Sequence, residues 1–136
     1  MAKKLTWQEK LKSSKPSVVE VLDKNFAGMH IGQKMLVPSA ALIDDFIRCI
    51  PEGESLDVVS MRESLAKQQL AEVCCPIATG FGLKIVAEAA FEQINQGKAC
   101  SEVSPVWRVL DAESSTLKKV SFDPQALLKR RAIEGI

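Results

Sequence analysis

Leu42, Phe46 and Ile50 recur every four residues, and Pro51 follows at once. That spacing puts the three side chains on one face of an α-helix, with Ile43 and Ile47 beside them. One broad face is therefore apolar, and a globular fold has to bury it. A helix is expected over 38–50. Ser39 can cap its start, and Asp44 and Asp45 sit outward. Pro51 stops it, because proline has no N–H to continue the ladder. Pro51-Glu52-Gly53-Glu54 then reads as a turn.

The rest of the chain follows from similar signals. Residues 1–16 are polar and Lys-rich, expected as a short helix or a loosely tethered arm. Residues 17–35 are mixed, with turns at Gly28 and Gly32. Leu56 to Val59 suggests a short strand. A second helix is expected over 60–70, with Met61, Leu65 and Leu70 inward. Pro76 suits the first position of a third helix, since its missing N–H would lack a partner there anyway. Ala78 to Gly82 is a run of mostly small residues. Residues 83–94 continue as helix, with Leu83, Val86, Ala87, Ala90 and Ile94 buried. Lys84, Glu88 and Glu92 form the opposite face. Gly97 is the natural residue to end it. Residues 103–110 are β-prone around Pro105, and 111–119 form a polar loop. A fourth helix spans 123–132, capped by Asp123 and opened by Pro124, with cations in its last turn where the helix dipole favours them. The expected fold is mainly α, a winged helix-turn-helix-like domain over 36–136 with a short β element, plus an N-terminal extension over 1–35.

At 136 residues, one domain is the default, large enough to bury a core without disulfides or metal. Met1 to Lys10 has no apolar h-region, and no apolar run approaches the roughly 20 residues of a spanning helix. A membrane partner is not expected. Cys49, Cys74, Cys75 and Cys100 fit neither a disulfide framework nor a zinc site, so the thiols read as reduced and the location as cytoplasmic. No residue pattern indicates a metal, a cofactor or an oligomeric state. The net charge of +1 is unevenly spread. Residues 1–34 carry seven Lys and three acids, 35–114 six basic and twelve acidic residues, and 115–136 five basic and two acidic residues. Only the two ends are basic, which counts against a simple nucleic-acid footprint.

Three short segments resemble the DNA-binding domain of methylated-DNA–protein cysteine methyltransferases. Ile50-Pro51-Glu52-Gly53 is similar to that family's Ile-Pro-x-Gly turn. Ser104-Pro105-Val106-Trp107-Arg108-Val109 falls where the family has Pro-Cys-His-Arg-Val. Leu127-Leu128 and Glu134-Gly135-Ile136 resemble its closing Leu-Leu and Glu-Gly-Val/Ile. The resemblance covers about residues 36–136. In the family, the Cys accepts an alkyl group from guanine, the His relays a proton, and a Tyr rotates the target nucleotide. Here those places hold Val106, Trp107 and, near the third, Val58. Val and Trp supply neither a thiolate nor a base. The implied function is a non-catalytic DNA-binding module similar to the alkyltransferase-like proteins, which lack the Cys and flag alkylated guanine for DNA repair. The implied enzyme status is therefore none by the family mechanism.

The candidate DNA-binding residues are Thr79, Gly80 and Lys84 at the start of the implied recognition helix, Trp107 and Arg108 in the motif, and Lys118, Lys119, Arg130 and Arg131 near the C-terminus. Small residues at a helix start allow close backbone approach, and free N–H groups there favour phosphate. Basic residues can grip phosphates without reading sequence. Trp7 and Trp107 could stack on bases or pack in the core, and Arg108 could equally form a structural ion pair. Cys75, just before Pro76, is the remaining nucleophile candidate. Two alternative functions stand beside the first. One is a protein-interaction domain on a winged-helix scaffold, favoured by the acidic middle of the chain. The other is an alkyl-accepting protein using Cys75 or Cys74.

Overall fold

The computed structural model describes residues 5–136. The fold is mainly α-helical, with a small open three-stranded sheet. Among the described residues, no helix is long and apolar enough to cross a membrane.

Helix α1 (Trp7–Lys12) begins at Thr6, whose hydroxyl accepts from the Glu9 N–H at 3.1 Å. It packs along α4 (Pro76–Asn95). Strands β1 (Val18–Val21) and β2 (Lys34–Val37) pair antiparallel, and the turns at Gly28 and Gly32 between them have φ of +82° and +90°. β3 (Val73–Cys74) joins β2 in parallel, Leu36 opposite Cys74. These strands were not expected. All four residues of β1 are exposed, so the hydrophobic alternation that reveals a half-buried strand is missing. β2 spans the junction of residues 35 and 36, where the sequence suggested that an extension ends.

Helix α2 (Ala40–Arg48) is capped by Ser39, whose Oγ accepts from the Leu42 N–H at 3.0 Å. Its buried stripe is centred on Ala40, Ile43 and Ile47, with Leu42 and Phe46 half-buried on its flank. Helix α3 (Val58–Gln68) starts earlier than expected, and no strand forms at 56–59. Asp57 accepts from the Ser60 N–H at 2.7 Å and turns Val58 and Val59 into the first helical turn. Met61 and Leu65 are buried as expected, but Leu70 is 86% exposed. Leu70 lies beyond the helix at φ +58°, where its N–H reaches Lys67 O at 3.2 Å and the next N–H, of Ala71, reaches Ala66 O at 2.8 Å. Those are the two bonds of a Schellman stop, a place where glycine is usual.

α4 runs unbroken from Pro76 through Gly80 and Gly82. Gly97 follows at φ +99°, and Lys98 N–H closes onto Gln93 O at 3.0 Å. Gly82 lets α2 approach: a Cβ there would lie 2.5 Å from Ile43 Cδ1. The β-prone segment at 103–110 is instead a buried 3₁₀ turn, Val106–Arg108. Val106, Trp107, Val109 and Leu110 are all at most 2% exposed. Burial on several sides overrides β-propensity, which describes only a pleated, half-buried surface. Helix α5 (Pro124–Glu134) begins at Asp123, which accepts from the Gln125 N–H at 3.0 Å. Its Leu127 is fully buried in one continuous core with residues of α2, α3 and α4.

Candidate nucleic-acid interface

The three family-like segments meet at one side chain. Glu134 Oε1 accepts from Arg108 Nε at 2.8 Å and from the Gly53 N–H at 3.0 Å. Its Oε2 accepts from Arg108 Nη2 at 3.1 Å and from the Trp107 indole N–H. Arg108 Nη1 also donates to Ile50 O at 2.7 Å. The Glu134 side chain is 1% exposed. Burial pushes this carboxyl up, but the hydrogen bonds from Arg108, Gly53 and Trp107 and the guanidinium charge outweigh it and hold the pKa at about 2.

Several residues singled out from the sequence are engaged at this junction or lie inside the fold. Trp107 is 1% exposed and packs edge-on against Phe91, with ring centroids 6.5 Å apart, so its ring has no face to offer a base. Arg108 is the structural ion pair of the two readings the sequence allowed. Arg131 Nη1 donates to Trp107 O at 2.7 Å and to Leu110 O at 3.1 Å. The Arg130 guanidinium lies 5.3 Å from the Trp107 ring centre. Thr79 is also inside: fully buried, it donates from Oγ1 to Cys75 O at 2.7 Å. Cys75 is 7% exposed and packs with Met29 and Met35, offering little sulfur to solvent. Burial pushes the Cys74 thiol up, away from the thiolate a nucleophile needs.

Gly80, Lys84 and Lys119 do come together. They line a cleft of about 560 Å³ between α1, the first half of α4 and the loop ending in the 3₁₀ turn Leu117–Lys119. Trp7 and Lys10 of α1 complete it, along with Ile77 and Phe81. Lys10 Nζ sits 4.1 Å from the Trp7 ring centre and Lys84 Nζ 5.6 Å, so one indole gathers two ammonium groups. Lys118 is exposed on the same 3₁₀ turn. The basic group of the C-terminal region is thus divided. Lys118 and Lys119 stay with α4, while Arg130 and Arg131 turn toward Trp107.

The outward acidic face expected on α4 is not there. Glu88 is 2% exposed and accepts from Ser121 Oγ at 2.8 Å and Ser121 N–H at 3.1 Å. Glu92 accepts from the N–H groups of Trp7 and Gln8, each at 3.2 Å, and from Gln8 Nε2 at 2.9 Å. Burial raises the Glu92 pKa, but these bonds outweigh it and lower the value. Periodicity assigned both residues to solvent because it cannot see which segments dock on a helix. Lys10 was missed as a cleft residue for the same reason, while Trp7, named as a possible base-stacking or packing residue, holds cations there. Ile77 and Phe81 were missed because the start of this helix was read for its small residues and backbone N–H groups rather than for its side chains.

Beside the cleft, sharing Pro76 and Gly80, lies a second cavity of about 350 Å³ with Val58, Arg62, Leu83 and Val109 in its wall. Val106 is fully buried behind the surface. Among the described residues, no cluster of His, Cys, Asp or Glu is placed to hold a metal ion. No protein-family model, curated protein or solved structure matches the chain.

Proposed function

We propose that this chain is a non-catalytic DNA-binding module of the alkyltransferase-like type that meets DNA at the Lys10–Lys84–Lys119 cleft. The observation that carries this reading is the charge in that cleft. Lys10 and Lys84 share the Trp7 ring and Lys119 lines the same wall. Among the described residues the ion pairs are Arg48–Asp44 and Arg108–Glu134, and neither involves these lysines. Like charges gathered without carboxylates attract polyanions, and phosphates are the natural counter-charge. Glu88 and Glu92 are tied into hydrogen bonds with Ser121, Trp7 and Gln8, and neither carboxylate lines the cleft.

One further feature supports the family-like reading: the three family-like segments share one buried carboxylate. By that resemblance, an extruded base would enter the cavity walled by Val58 and Val109, and alkylated guanine in DNA repair would be the target. Val106 and Trp107 supply no nucleophile and no base, so binding occurs without alkyl transfer.

Anisotropy of labelled short DNAs, single-stranded, duplex and duplex with an alkylated guanine, tests the reading at about 50 mM salt. Binding should weaken as salt rises, and Lys84→Ala and Lys119→Ala should each reduce the salt slope by about 1. No binding of any DNA at low salt overturns it. A protein-interaction domain is the second reading. It is favoured by an apolar cavity of about 470 Å³ lined by Leu42, Phe46, Ile50 and Leu56, with Asp45 and Glu54 at its rim.

A further inference from the structure

The cleft holds more than phosphate-binding charge. Ile77 and Phe81 stand one helical turn apart on α4, 54% and 69% exposed. Both line the same cleft as the three lysines. The two aromatic rings there have different duties. Lys10 and Lys84 lie over the Trp7 ring, which therefore works as a holder of cations. Phe81 takes part in neither of the aromatic pairs found among the described residues, Phe91 with Trp107 and Phe91 with Phe122. Its ring is largely open to water and is not covered by a cation or another ring.

A ring beside ammonium groups matches the two chemistries of a nucleotide, a flat base and an anionic phosphate. In an intact duplex each base already has neighbours on both faces, so the ring has nothing to stack on and only the lysines are used. In a single strand a base is free to leave its neighbours, and base–aromatic stacking then adds to the charge term. A cleft of about 560 Å³ has room for one such nucleotide.

We infer that this cleft seats an unstacked nucleotide of single-stranded DNA, with Phe81 stacking on the base and Lys10, Lys84 and Lys119 facing the phosphates. The inference rests on the DNA-binding reading above and narrows it to strands whose bases are exposed.

The test uses the full chain with a labelled oligothymidylate of about 12 nucleotides and a duplex of the same length at low salt. The single strand should bind more tightly than the duplex. Phe81→Ala should weaken single-strand binding by about 5-fold or more, leave duplex binding within about 2-fold, and be rescued by Phe81→Trp. Phe81 is largely exposed, so its replacement leaves the core intact. Lys84→Ala should weaken both ligands. If duplex binds as tightly as single strand, or if Phe81→Ala leaves single-strand affinity unchanged, this inference falls and the DNA-binding reading stands. If neither DNA binds, both fall.

Discussion

Glu134→Gln should be one of the most damaging polar substitutions in the chain, although it changes a single oxygen to nitrogen. Among the described residues Glu134 is the anion paired with Arg108, and its side chain is 1% exposed, so solvent does little to screen the pair. The carboxyl is lowered from 4.5 to about 2. At about 1.4 kcal/mol per pKa unit, that corresponds to about 3 kcal/mol of stability at neutral pH. The amide would leave the half-buried Arg108 charge without its carboxylate and set an NH₂ against donors from Gly53 or Trp107. Loss of one partner of a buried pair typically costs about 3–5 kcal/mol, in line with the linkage figure. For a chain of this size the midpoint of thermal unfolding should fall by about 10 °C.

The sign of the pH dependence is equally definite. Folding depresses the Glu134 pKa, so its stabilisation is fully present above pH 4.5 and is lost as pH falls from there toward 2. Asp57, lowered chiefly by the Ser60 N–H, and Glu92 weaken in the same acid region. The difference between wild type and Glu134→Gln therefore isolates the Glu134 contribution. Urea unfolding at several pH values between 7 and about 3 measures it. The gap between the two proteins should shrink steadily below pH 4.5. A variant within about 0.5 kcal/mol of wild type at pH 7, or a gap that does not change with acid, would refute the account of this junction.

Two helix positions give sharper tests of packing. Gly80 has nothing within 4 Å of an added Cβ, whereas Gly82 would place one 2.5 Å from Ile43 Cδ1. Gly80→Ala should raise stability by about 1 kcal/mol through helix propensity. Gly82→Ala should lose that gain to displacement of the buried Ile43 and unfold at lower denaturant than Gly80→Ala. Leu70→Gly should also stabilise, by about 1 kcal/mol, since an exposed leucine now occupies a left-handed position. An unchanged urea midpoint for Leu70→Gly would mean that the Schellman geometry after α3 carries no strain.

The sequence alone located the starts and stops of the chain well. Ser39, Pro76 and Asp123 open helices, Pro51 and Gly97 follow their ends, and each does so through its own backbone or side-chain chemistry. Such signals are local, so one strand of residues suffices to read them. The order of the Ile-Pro-Glu-Gly, Trp-Arg and Glu-Gly-Ile segments was legible too. Their common purpose was not, because Glu134 meets Gly53, Trp107 and Arg108 only after folding has brought distant turns together. The candidate site divides in the same way. Lys84 and Lys119 were recognisable as basic residues, but their company with Trp7 and Lys10 depends on α1 docking along α4. That same docking ties Glu92 to α1, and the Ser121 loop buries Glu88. Composition determined which charges exist. Tertiary packing decided which of them line a cleft a ligand can reach, because docked segments cover or engage some charged side chains and leave others facing it.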